Sequence, residues 1–315
     1  MTVQHTMTAV SQDRLGGPEV LRVIETPRPS PGFGEVLVRV LAAGINPIDG
    51  KTRESGAFLG EPPFILGWDV SGVVEAVGPG VRLFAPGDEV YGMPLFPAQA
   101  GAYAQYVAAP ARHFAPKPDG LTHVEAAALP LAALTARQAL VDVGSVGKGD
   151  RVVVHGAAGG VGHLAVQLAV ALGAHVIATA RPAQHAAVRG LGAAEVIDFG
   201  GGDVHTRIRD ADFVLDPHGG AEAFRALGTL KDCGVLVSLS SPEDDAVVAS
   251  AAERGIRAGF MLVQPDPVGL HHIAALAASG ALRPVVAATF PLGDVARAHR
   301  FAEAGGVLGK TVLVV

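Results

Sequence analysis

Cysteine is almost missing from this chain: Cys233 is the single one in 315 residues. One thiol excludes an intramolecular disulfide and a cysteine-rich structural zinc, and it fits a reducing, cytoplasmic setting. Lying between a helix expected over 221–230 and an apolar strand over 234–239, Cys233 reads as a buried structural thiol. Charge is scarce as well. Asp, Glu, Lys and Arg make up 17% of the chain with a formal net charge of -6, a balance that argues against nucleic acid as a partner. No stretch of about 20 residues is free of Gly, Pro and charge, so no membrane span is expected. The opening Met1-Thr2-Val3-Gln4-His5-Thr6 lacks a basic-then-apolar signal pattern and reads as a loose tail before a strand near 8–12. Neither a G-x-S-x-G elbow nor an H-E-x-x-H helix occurs.

What the chain does have is apolar residues, 49% of the total, with 41 Gly and 22 Pro. That is enough for a large core with many turns, and the length suits two domains. To about Leu121 the pattern is short strands, such as 36–40 and 70–77, punctuated by Gly78-Pro79-Gly80 and Ala85-Pro86-Gly87-Asp88. An alanine-rich helical stretch, 125–140, is interrupted at Pro130. From Arg151 strands expected at 151–155, 175–179, 195–198, 212–216, 234–239 and 256–263 alternate with helices at 160–172, 183–191, 221–230 and 246–254. Such alternation is an α/β fold, a doubly wound parallel sheet. A helix at 267–278, a strand at 285–289, a helix at 294–303 and a strand at 311–315 follow, and the chain is expected to return to its first domain. The division is 1–124, 125–265 and 266–315.

The stretch His155-Gly156-Ala157-Ala158-Gly159-Gly160-Val161-Gly162 sits between the strand Arg151-Val152-Val153-Val154 and an apolar-periodic helix. Strand, glycine turn and helix bring backbone N–H groups and a helix dipole to a pyrophosphate. The turn departs from G-x-G-x-x-G at its first position, which is Ala157. In NAD sites a carboxylate about 20 residues on binds the ribose hydroxyls. Here no Asp or Glu occurs between Gly162 and Glu195; the second strand, with Thr179, runs into Arg181, and His185 and Arg189 follow. Guanidinium suits a 2′-phosphate, so NADPH is the expected cofactor. The competing view makes Arg181 and Arg189 ordinary solvated residues.

Further matching stretches are Gly16-Gly17-Pro18-Glu19-Val20-Leu21, residues 31–38 (Pro-Gly-Phe-Gly-Glu-Val-Leu-Val), Gly44-Ile45-Asn46-Pro47-Ile48-Asp49, Gly67-Trp68-Asp69-Val70-Ser71-Gly72, Gly87-Asp88-Glu89-Val90-Tyr91-Gly92 and Gly309-Lys310-Thr311-Val312. In this order, over nearly the whole chain, they resemble the medium-chain dehydrogenase/reductase superfamily, and most the zinc-independent quinone oxidoreductase and enone reductase branch. The resemblance implies a GroES-like β-barrel domain, a Rossmann domain, an active site in the cleft between them, and a homodimer joined edge to edge through its Rossmann sheets. Zinc relatives hold metal with a Cys and a Gly-His-Glu motif. Asn46 and Trp68 stand at those places, and neither replaces a ligand, so no metal is expected.

For a zinc-free site the resemblance implies hydride transfer to a small carbonyl substrate already polarised, a quinone or an α,β-unsaturated carbonyl. Asn46 and Lys51 are the candidate catalytic residues, as donors to the developing oxyanion or as holders of the nicotinamide; the competing views are a loop Asn and a solvated Lys. Asp49 reads as a turn residue. The family pattern adds Thr135, Ala158, Gly159, Gly160, Val161, Gly162, Leu239, Ser240, Phe260 and Leu262 along the cofactor, with Phe199 near the adenine. Phe58, Phe64, Trp68 and Leu95 are either pocket or core. A dedicated biosynthetic enoyl reductase and a non-catalytic, crystallin-like NADPH-binding protein remain alternatives. Residues 304–311 nearly match a P-loop, with Ala304 in place of its first Gly, but that loop must open a helix and the residues that follow here are apolar and strand-like. The adjacent His271 and His272 diverge on a helix and make no metal site.

Overall fold

The computed structural model describes residues 5–240 and 245–315; of the tail expected over 1–6, residues 1–4 lie outside them and Thr6 already begins the strand Thr6–Gln12. Six strands between Arg151 and Phe260 form one parallel sheet. Its spatial order is Glu195–Asp198, His175–Ala180, Arg151–Val154, Ala211–Asp216, Leu230–Ser238, Arg257–Phe260. The order reverses beside Arg151–Val154, and a crevice opens beyond the strand ends at such a switch point. The strands are Val/Ile/Leu-rich because helices cover both faces: Gly162–Ala171 packs on one, Gly220–Ala226 on the other.

The N-terminal half is antiparallel. Glu35–Gly44 is the spine of a seven-stranded sheet, pairing with Val70–Val77, Tyr106–Pro110 and the late strand Lys310–Val314. Val286–Pro291 and Lys310–Val314 pair in parallel around the helix Val295–Ala304. The last 30 residues are therefore stitched into the first sheet. The β-barrel and doubly wound architecture expected from the pattern is the one observed.

Three local differences matter. The helix after 219 stops at Ala226, and the next strand starts at Leu230. Cys233 thus falls within that strand, at φ +61°, and is exposed, not buried. A helix, Pro47–Ser55, stands where a turn was read. Its signals are an Asn before Pro at N1 and an acid at N3. Glu125 to Leu140 resolves into His123–Ala127, Pro130–Arg137 with Pro130 at N1, and a π-helical Gln138–Val143. Among the described residues no helix is long and apolar enough to cross a membrane.

Candidate active site

A cleft of about 580 Å³ lies between the two sheets. One wall is the glycine turn: Gly156, Gly159, Gly160, Val161 and Gly162. This turn is tightly folded. A Cβ on Gly162 would meet Gly156 O at 2.3 Å, which demands glycine there. Among the described residues the N–H groups of Gly160, Val161 and Gly162 have no backbone partner. They head the helix Gly162–Ala171 and form a cradle for an anion. Behind the turn, the Thr179 hydroxyl accepts from Gly156 N at 3.3 Å and pairs with His155 Nδ1 at 3.1 Å. His163 sits beneath. Its Nδ1 pairs with Gly159 O at 3.0 Å, and Val285 N donates to its Nε2 at 3.2 Å. Burial lowers the pKa values of His163 to about 4 and of His155 to about 3, so both rings are neutral braces.

The opposite wall comes from the N-terminal sheet and the returning chain: Ile45, Asn46, Pro47, Lys51, Glu303 and Lys310. Asn46 Nδ2 donates to Asp69 Oδ2 at 2.8 Å, and Lys310 Nζ donates to Asn46 Oδ1, to Ile45 O at 2.8 Å and to Asp69 Oδ2 at 3.2 Å. Asp69 Oδ1 accepts from Leu131 N at 2.7 Å. Just beneath, Asp49 is wholly buried and its Oδ2 accepts from Asn46 N at 2.7 Å. Burial raises its pKa to about 7. The two walls are tied by a bond from Gly309 N to Ala158 O, 2.9 Å.

Of the residues singled out from sequence, Asn46, Lys51, Gly159, Gly160, Val161, Gly162 and Leu239 line this cleft. The others stand off its wall. Ala158 lends its carbonyl to the inter-wall bond. Thr135 turns its hydroxyl onto Leu131 O at 2.7 Å, within its own helix. Thr179 is buried behind the turn. Arg181 is exposed at the strand end, its guanidinium against Gly306, where a Cβ would lie 3.1 Å from Nη1. His185 Nε2 pairs with Ala180 O at 3.1 Å. Phe199 lines a separate hollow and stacks on His218. Ser240 closes the turn by its N–H to Ser238 Oγ. Phe260 lies at the outer edge of the sheet and Leu262 packs against the core. Phe64 and Trp68 are core, Phe58 is half exposed, and none of these or Leu95 lines the cleft. The sequence reading missed Lys310, Asp69, Glu303 and His218 as site residues; Lys310 and Asp69 were visible in family-matching stretches, Gly309-Lys310-Thr311-Val312 and Gly67-Trp68-Asp69, but carried no role there.

Two sheets meeting over a glycine-cradled cleft define a two-domain, dinucleotide-dependent oxidoreductase. Residues 32–119 match the alcohol dehydrogenase GroES-like domain and 191–313 the zinc-binding dehydrogenase model. A mouse relative, "NAD(P)H oxidoreductase RTN4IP1, mitochondrial", is 35% identical, aligned over 96% of this chain and 87% of its own. The structure of the quinone oxidoreductase from Coxiella burnetii is 36% identical with a TM-score of 0.94, covering 99% of this chain and all of that one. The Escherichia coli quinone oxidoreductase, solved with NADPH, is 29% identical with a TM-score of 0.88, over 98% and 100% of the two chains. This chain belongs to the quinone oxidoreductases of the medium-chain dehydrogenase/reductase superfamily.

The bare glycine cradle and its unpartnered amides fit a dinucleotide pyrophosphate. Zinc does not fit. The Asp69 carboxylate is already engaged by an amide N–H, a carboxamide and an ammonium. Among the described residues no three His, Cys, Asp or Glu side chains assemble a donor set.

Proposed function

We propose that this protein is a zinc-independent, NADPH-dependent reductase of quinones and α,β-unsaturated carbonyls. NADPH supplies the hydride when bound; the chain supplies position and charge. The cradle at 159–162 takes the pyrophosphate, and Arg181 beyond the second strand takes the 2′-phosphate. The observation that carries this reading is the single cleft joining that cradle to Asn46. A dinucleotide laid from the cradle along that cleft would bring its reacting end toward a carboxamide oriented by Asp69.

As hydride reaches the electrophilic carbon of the acceptor, electron density moves onto its carbonyl oxygen. A placed donor in a water-poor site lowers that barrier by about 3 kcal/mol. Asn46 Nδ2 is that donor. Lys51, on the first turns of Pro47–Ser55 and facing the same cleft, holds the nicotinamide ribose or the enolate. Water delivers the proton that completes the reduced alkene or quinol. The cytoplasm is the compartment, and the working form is a homodimer.

The test is NADPH oxidation followed by its absorbance against a panel of quinones, enones and 2-alkenals, repeated with NADH and after prolonged chelation. Turnover with NADPH that survives chelation supports the proposal. No turnover across the panel, or loss restored by zinc, defeats it.

A further inference from the structure

We propose that Asp69 and Lys310 are a positioning pair that fixes which end of the Asn46 carboxamide faces the acceptor. The inference rests on the reading of Asn46 as the donor to the developing oxyanion. Three distant parts of the chain make it. Asn46 and Asp69 are 23 residues apart, while Lys310 is 264 from Asn46 and 241 from Asp69. All three side chains are buried, Asn46 at 4%, Asp69 at 0% and Lys310 at 3% exposure.

The argument begins with protons. An ammonium has three N–H bonds and no lone pair. Lys310 Nζ meets three acceptors: Ile45 O, Asn46 Oδ1 and Asp69 Oδ2. Nothing remains for it to offer a substrate, so its action runs through Asn46. The carboxamide lies between opposite charges. An oxygen is required where it faces the ammonium, and an NH2 where it faces the carboxylate at 2.8 Å. The flip that is ambiguous for most Asn side chains is therefore decided here by charge. Of the two N–H bonds on Nδ2, Asp69 accepts one. The other is left for the cleft that Asn46 lines. If the amide flipped, it would present an oxygen to the forming oxyanion, a repulsive contact.

The pair is itself anchored. Leu131 N donates to Asp69 Oδ1 at 2.7 Å, at the head of the helix Pro130–Arg137. The stem of Lys310 passes Gly160 so closely that a Cβ there would sit 2.9 Å from Lys310 Cδ. One buried ion pair thus spans from the cofactor cradle to the N-terminal sheet. Buried pairs seldom add net stability, since desolvation offsets their attraction. Orientation of a neighbour is a role that survives that objection.

The experiment is a double-mutant cycle on kcat with NADPH and an acceptor turned over by the wild type. NADPH affinity is measured separately by fluorescence titration. Asn46→Ala should lower kcat about 100-fold. Lys310→Met should lower it about 10-fold or more, with NADPH affinity within about 2-fold. The double variant should be no slower than Asn46→Ala alone. Because Lys310→Met strands the Asp69 charge, the paired Asp69→Asn, Lys310→Met variant is measured as well. It should fold, bind NADPH and share the kcat defect. Losses that multiply, or wild-type kcat in the paired variant, overturn the positioning role while leaving the reductase reading intact. A silent Asn46→Ala, or a wild type without turnover, overturns the reading beneath it and the inference together.

Discussion

Single residues carry most of the chemistry here, and two of them make sharp predictions. Asp49 is sealed under the cleft with one oxygen on Asn46 N and the other, Oδ1, unpartnered. Burial raises its pKa from 3.8 to about 7. The folded protein therefore binds a proton that the unfolded chain releases between those values. Its contribution is fully present below pH 4 and is lost as pH rises through about 7, a swing on the order of 4 kcal/mol. Asp49→Asn should flatten the fall in melting temperature between pH 4 and 7; an unchanged slope in thermal melts would reject the assignment. If Arg181 takes the 2′-phosphate as proposed, Arg181→Ala should raise KM for NADPH about 10- to 100-fold, the worth of a charge-assisted contact. KM for NADH should stay within about 2-fold, because only the phosphate is missed. Steady-state kinetics with both nucleotides decide it. The absence of acid between Gly162 and Glu195 was readable directly. That Arg181 also packs against Gly306, over a hundred residues on, was not.

Elements explain why some of the site was legible and some was not. The glycine turn announced itself because strand, turn and helix are contiguous and each obeys a local rule. A β-branched run forms Arg151–Val154, and apolar residues cover the sheet face of Gly162–Ala171. Asn46 came from a contiguous motif as well. Asp69 and Lys310 were opaque as a pair, since their meeting is a product of strand pairing: Lys310–Val314 beside Glu35–Gly44. For Thr135 the position along the helix was legible but the rotamer was not: its hydroxyl donates back to Leu131 O. The helix Pro47–Ser55 was overlooked although its cap carries Asn, Pro and Asp in the expected order. The turn yields a prediction of its own. Gly162→Ala places a methyl 2.3 Å from Gly156 O and 2.8 Å from Ala157 Cα, both backbone. The loop must open, at about 1–3 kcal/mol, and the amides lose their common focus. Differential scanning should find a lower melting point and little of the upward shift NADPH confers on the wild type. An undiminished shift would show that the cradle tolerates reshaping.

At the scale of the whole molecule, the Rossmann sheet ends in the edge strand Arg257–Phe260, which among the described residues pairs on one side only, with Leu230–Ser238. Exposed edges invite pairing with another chain unless they are blunted. Here they are not blunted by proline. Val143 and Val248, beside the edge, are 37% and 47% exposed and share a hollow with Phe260 and Met261. Phe260 stands in that edge hollow and not in the cleft. Two copies related by a twofold axis would pair these strands antiparallel and carry the sheet through both subunits. Sedimentation should then give twice the 32.0 kDa chain mass. Val248→Arg should shift the mass toward the monomer, because two like charges would meet across the axis. The cleft is centred on the C-terminal ends of Arg151–Val154 and Ala211–Asp216, inside the edge strand, so the monomeric variant should still bind NADPH. A wild-type monomer at micromolar concentration would refute the assembly, and a Val248→Arg dimer would move its interface elsewhere.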